Sequence, residues 1–133
     1  MKKYYILLLL LILTSAGFSQ SVTSRDITWS SAKSVELHST VDLNQSSKLV
    51  THSTKQIDYV QSNNSTLTFL ISSIDGTWSD PNTNGSLVYH VKYQSRPGKI
   101  TIERTGSGIV ATIDFTESSP DAVKQKILID SFQ

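Results

Sequence analysis

Between Gly85 and Thr116 apolar and polar residues alternate almost without interruption. Leu87, Tyr89, Val91 and Tyr93 fall on one side, with Val88, His90 and Lys92 on the other. Ile100 and Ile102 repeat the pattern, and so do Ile109, Ala111, Ile113 and Phe115. A period of two belongs to a half-buried β-strand, whose successive side chains point to opposite faces. Arg96-Pro97-Gly98 and Gly106-Ser107-Gly108 offer turn chemistry between the runs. Three consecutive antiparallel strands joined by short turns follow from this stretch.

The rest of the chain fits the same class. Ile27 and Trp29 share a face within Asp26–Ser31, and weaker alternation between Ser31 and Asn44 predicts one or two short strands. Lys48–Val60 is strand-like, Gln61–Ser65 is a polar turn, and Thr66–Ile74 is a stronger strand. There Leu67, Phe69 and Ile71 share a face, while Leu70 makes the other face partly apolar, a pattern expected of a central strand or of one covered on both faces. Asp75–Asn84 is the longest loop. Ser119-Pro120-Asp121 has the chemistry of a helix start, but the alternation of Gln125, Ile127 and Ile129 predicts a closing strand over Lys124–Phe132, with at most one helical turn before it. The fold expected is all-β, an antiparallel meander of about seven to nine strands forming a β-sandwich or small β-barrel.

The first residues are set apart. Lys2 and Lys3 precede the apolar run Ile6–Leu13, and small residues follow at Ser15, Ala16, Gly17 and Ser19. The run is short of the roughly 20 apolar residues that span a bilayer, so it reads as a signal peptide over 1–19, cut after Ser19 or alternatively after Ala16. Residues 20–133 then form a single all-β domain, secreted or periplasmic, with no membrane span after cleavage. The chain has no Cys, so neither a lipid anchor nor disulfides are expected. Loss of Lys2 and Lys3 leaves 10 basic residues from 12, against 11 acidic ones. That near-neutral balance lacks the clustered positive charge of a nucleic-acid binder.

Candidate sites are few. Asp80-x-Asn82-x-Asn84-Gly85 matches the first half of a calcium loop, but position twelve is Val91 where the pattern needs a bidentate Glu. Asn84-Gly85 before an alternating strand is also a type I′ hairpin signal. Trp78, within the same polar loop, is placed either to meet a partner or to plug one end of the sheet. Trp78, Asp80, Asn82 and Asn84 are therefore the candidate ligand-binding residues, with no metal or cofactor expected. His38, His52 and His90 each follow an apolar strand position and are expected to face away from the core. No Ser lies in a Gly-x-Ser-x-Gly elbow, and Asp58, Asp75, Asp80, Glu103 and Asp114 show no pairing that points to glycoside chemistry. The aromatics Trp29, Tyr59, Phe69, Trp78, Tyr89, Tyr93 and Phe115 would offer a stacking platform for sugars or flat apolar ligands if some project from one face or loop end; otherwise they fill the core.

Gly76-Thr77-Trp78 resembles the Gly-x-Trp signature of the first lipocalin strand. Only 55 residues follow Trp78, too few for the rest of such a barrel, so no residue role transfers. The leader, ending Phe18-Ser19-Gln20 before a Ser/Thr-rich start, is similar to those of exported Bacteroidota proteins, and the body resembles their small secreted β-proteins. The function expected is a non-catalytic binding or interaction module for an extracytoplasmic ligand or protein. A structural part in an envelope or surface assembly is the alternative, and a small hydrolase a weaker one. Oligomeric state is open.

Overall fold

The computed structural model describes residues 21–38 and 41–133, the side chains of Val41 and Asp42 excepted. The leader expected over 1–19 and its cleavage site lie outside the described residues. After a 3-10 turn at Val22–Ser24 come β1 (Asp26–Ser31), β2 (Lys33–Glu36), β3 (Val41–Leu43), β4 (Ser47–His52), β5 (Gln56–Val60), β6 (Thr66–Asp75), β7 (Gly85–Tyr93), β8 (Arg96–Thr105), β9 (Gly108–Asp114), β10 (Lys124–Ile129) and β11 (Ser131–Phe132). All belong to one antiparallel sheet of order β11-β1-β4-β5-β6-β7-β8-β9-β10-β2-β3. From β4 to β10 spatial order is chain order. The all-β meander expected from the sequence is thus the observed architecture, with β10 in place of the helix that Ser119-Pro120 suggests.

Eleven strands appear where about seven to nine are expected because single residues, Ala32 and Asp130, interrupt two long ones. The two interruptions meet. The Asp130 N–H donates to the Ser30 carbonyl at 2.8 Å, and the Ala32 N–H donates to Asp130 Oδ2 at 2.7 Å. A carboxylate oxygen thereby replaces a ladder carbonyl where both strands bend. On either side the register is one and the same, with Lys33 opposite Leu128 and Ser30 opposite Ser131.

The buried apolar residues lie on one face of each strand. Ile27 and Trp29, Ile57 and Tyr59, Leu87, Tyr89 and Val91, Ile100 and Ile102, Ile109, Ala111 and Ile113, and Ile127 form one cluster. In β6 a bulge leaves Ser72 unpaired between Ile71 and Ser73, so the inward set changes from Leu67, Phe69 and Ile71 to Ile74. Of the two readings of this strand, the central position is observed, with β6 between β5 and β7, while cover on both faces is not, since Leu70 is 60% exposed. The bulge shifts which residues face the core. Lys48–Val60 resolves into a hairpin, turning at Ser53 with φ 52°.

Two turn readings are corrected by the packing. The β7–β8 turn is Gln94-Ser95, both with positive φ (49° and 68°), while Arg96-Pro97-Gly98 lies inside β8. A Cβ on Gly98 would meet the Phe115 ring at 2.6 Å. Likewise Gly85 does not turn a hairpin but opens β7, and a Cβ there would meet Trp78 Cδ1 at 2.1 Å. Both glycines serve close approach of an aromatic ring to the strand.

Tyr89 is fully buried, and its hydroxyl makes no hydrogen bond to the described residues. Burial pushes its phenol from the ordinary value near 10 up to about 12. The neutral form is favoured in the folded protein, so this contribution is intact below pH 10 and is lost as pH rises toward 12. Tyr89→Phe is expected to flatten the stability decline in that window. It should also raise stability near neutral pH by about 1 kcal/mol, because an unpaired buried hydroxyl is removed. Denaturant midpoints of both proteins from neutral to alkaline pH check this. A decline as steep in the Phe variant would show that Tyr89 is not its source.

Candidate functional site

The strands have two ends, and they are furnished differently. β7 runs from Gly85 to Tyr93, β8 returns from Arg96, and β9 ends beside Phe115. At the Tyr93 end, Phe69 lies 5.5 Å from Tyr93 and 5.6 Å from Phe115 between ring centroids, with planes tilted by 52° and 34°. These three rings, with Tyr59, Leu67 and Ile113, line a cavity of about 710 Å³. One wall is the β9–β10 connection, which contributes Ser118, Ser119, Asp121, Ala122 and Val123. Val123 is 57% exposed, an apolar side chain facing open space. Arg96 and Asp121 also border the cavity, and both are exposed.

The wall is fastened at several points. The Phe115 N–H donates to the Val123 carbonyl at 2.9 Å, and Ser118 Oγ donates to the Pro97 carbonyl at 2.7 Å. Lys99 Nζ lies 2.6 Å from Glu117 Oε1. His38 Nε2 is 2.7 Å from the Ala122 carbonyl. Asp114 Oδ1 accepts from the Thr116 N–H and hydroxyl at 2.9 and 2.5 Å, with Lys124 Nζ 3.6 Å from Oδ2. Partial burial pushes the Asp114 carboxyl up, but the Thr116 bonds and the Lys124 charge outweigh it and hold it below its ordinary value.

The opposite end is packed with indole rings, and a smaller hollow of about 400 Å³ lies beside them, lined by Asn82, Arg104 and Phe132 among others. Trp78 is 3% exposed and stacks on Trp29 at 5.8 Å with an interplanar angle of 17°. Phe132 also packs against Trp29, at 5.5 Å between centroids with the planes tilted by 41°. The Trp78 carbonyl accepts the Val22 N–H at 2.8 Å, and its Nε1 donates to the Thr83 carbonyl at 2.9 Å. Asp80 Oδ1 accepts the Asn82 N–H at 2.9 Å, and Arg104 Nε donates to the Pro81 carbonyl at 2.6 Å. The loop is thus held onto the strand ends by its own hydrogen bonds.

The structure brings Trp78, Asp80, Asn82 and Asn84 to this end, with Asn82 on the rim of its smaller hollow, and none of them to the aromatic cavity. Trp78 takes the plug position of the two the sequence allows. Asp80, Asn82 and Asn84 are exposed, with Asp80 engaged as an Asx turn rather than turned toward a common centre with its neighbours. His52 and His90 lie on the outward faces, His52 Nε2 2.9 Å from Asp58 and His90 Nε2 2.6 Å from Asp75. Among the described residues no group of three or more His, Cys, Asp or Glu is placed to hold a metal ion.

Sequence reasoning names Tyr59, Phe69, Tyr93 and Phe115 only within a larger aromatic set, and it misses the wall from Ser118 to Val123 altogether. The one available signal was a Val in a polar loop. Among the described residues no helix is long and apolar enough to cross a membrane. Neither a family model, nor a curated protein, nor a solved structure matches this chain.

Proposed function

We propose that the sheet closes into a barrel and that its open end binds a small extracytoplasmic ligand with a flat or extended apolar body. The observation that carries this is the asymmetry of the two ends. Stacked Trp29 and Trp78 occupy one and leave a hollow of about 400 Å³ beside Asn82, Arg104 and Phe132, while Tyr59, Phe69, Tyr93 and Phe115 line about 710 Å³ at the other. A cavity of that size suits a small organic molecule, and aromatic walls favour apolar or stacking contact. Closure is supported by the shared register of β1–β2 against β10–β11. Reciprocal Thr28–Gln133 backbone bonds of 2.9 and 3.1 Å extend that pairing. The setting rests on the leader; N-terminal sequencing of exported protein should begin near Gln20, and a membrane-held chain retaining Met1 would contradict it.

The binding test uses protein lacking residues 1–19 and the neutral fluorophore N-phenyl-1-naphthylamine. Saturable enhancement at one site is expected, weakened about tenfold by Tyr93→Ala through loss of one stacking wall. Absence of saturable binding would reject the proposal. A second reading is a structural role, favoured by the three-residue strand β3, which pairs with β2 and leaves its other edge open in the sheet. Defined oligomers with no ligand binding would favour it.

A further inference from the structure

We infer that the ligand carries an uncharged, hydroxylated head, bound in a polar annex of the aromatic cavity; this rests on the cavity being a binding site. Beside the cavity lies a hollow of about 280 Å³ that shares Tyr59, Gln61 and Gln125 with it. The remaining walls come from Leu43, Gln45, Ser46 and Ser47, from Ser34 and from the β5–β6 turn. Among the described residues no Asp, Glu, Lys, Arg or His lines this hollow. Its polar groups are hydroxyls and amides alone.

These groups are organised rather than scattered. Gln125 Nε2 donates to Ser34 Oγ at 2.9 Å and lies 3.2 Å from the Tyr59 hydroxyl. Ser34 and Tyr59 are 3% and 5% exposed, so the amide is held by buried partners at the junction of the two spaces. Ser47 is 7% exposed, and its Oγ has no hydrogen-bond partner among the described residues. A buried hydroxyl without a partner is costly, and a ligand hydroxyl that reached it would recover that cost. An ionic head would be poorly served, since a charge entering a hollow without a counter-charge loses its hydration uncompensated. A neutral amphiphile fits both halves: apolar body against the rings, hydroxyls against Gln125 and Ser47.

The test compares n-octyl β-D-glucoside, octanoate and octyltrimethylammonium by titration calorimetry, each below its micelle concentration, on protein lacking residues 1–19. The glucoside is expected to bind at least about tenfold more tightly than either ion. Its preference should fall about three- to tenfold in Gln125→Ala, the equivalent of one or two hydrogen bonds. Ser47→Ala, which removes an unpaired hydroxyl and so spares the fold, should reduce the preference in the same direction. Equal binding of all three, or tighter binding of an ion, would overturn the head-group inference while leaving the cavity as a site. Failure of all three together with N-phenyl-1-naphthylamine would overturn the cavity reading itself.

Discussion

Truncation of Trp29 to Ala is expected to cost about 3–5 kcal/mol of folding stability. Trp29 is fully buried and packs on both Trp78 and Phe132, so its removal takes away two ring contacts at once. The Trp29 Nε1–H also donates to Thr51 Oγ1 at 3.2 Å, and that hydroxyl donates to the Ile27 carbonyl at 3.3 Å. Losing the indole leaves Thr51, itself 1% exposed, as a buried hydroxyl with one partner fewer. Urea denaturation of both proteins measures the cost. A loss under about 1 kcal/mol would mean the end is not closed by this stack.

Ile113→Ala should cost about 2–5 kcal/mol, because the side chain, near the end of β9, is only 2% exposed. Its neighbour Thr112 points the other way, opposite Thr101 and Lys126, and Thr112→Ala should stay within about 0.5 kcal/mol. The contrast matters more than either value. A register slip of one residue would exchange the two results, since every side chain on the strand would change faces.

The sequence announces the strands because a strand with one buried face writes its period directly into the residues. β7, β8 and β9 are legible in this way, and β10 prevails over the helix-like Ser119-Pro120-Asp121 by the same rule. Turns were less legible. Gly85 and Gly98 look like turn residues, yet each is small because a ring from a distant segment, Trp78 or Phe115, lies against the strand. The actual turn residues Gln94 and Ser95 carry no strong turn signature. The cavity was harder still. It is assembled from Tyr59, Phe69, Tyr93, Phe115 and a connecting loop, positions that only the strand register brings together. Nothing local distinguishes Tyr93, which borders open space, from Tyr89, which fills the core four residues earlier on the same face.

Backbone amide shifts during titration with N-phenyl-1-naphthylamine test the account most directly. Perturbations are expected to cluster at Leu67–Phe69, Tyr93–Pro97 and Phe115–Gln125, with the Trp78–Gly85 loop unmoved. Shifts centred on Trp78–Gly85 instead, or no saturable shifts at all, would contradict it.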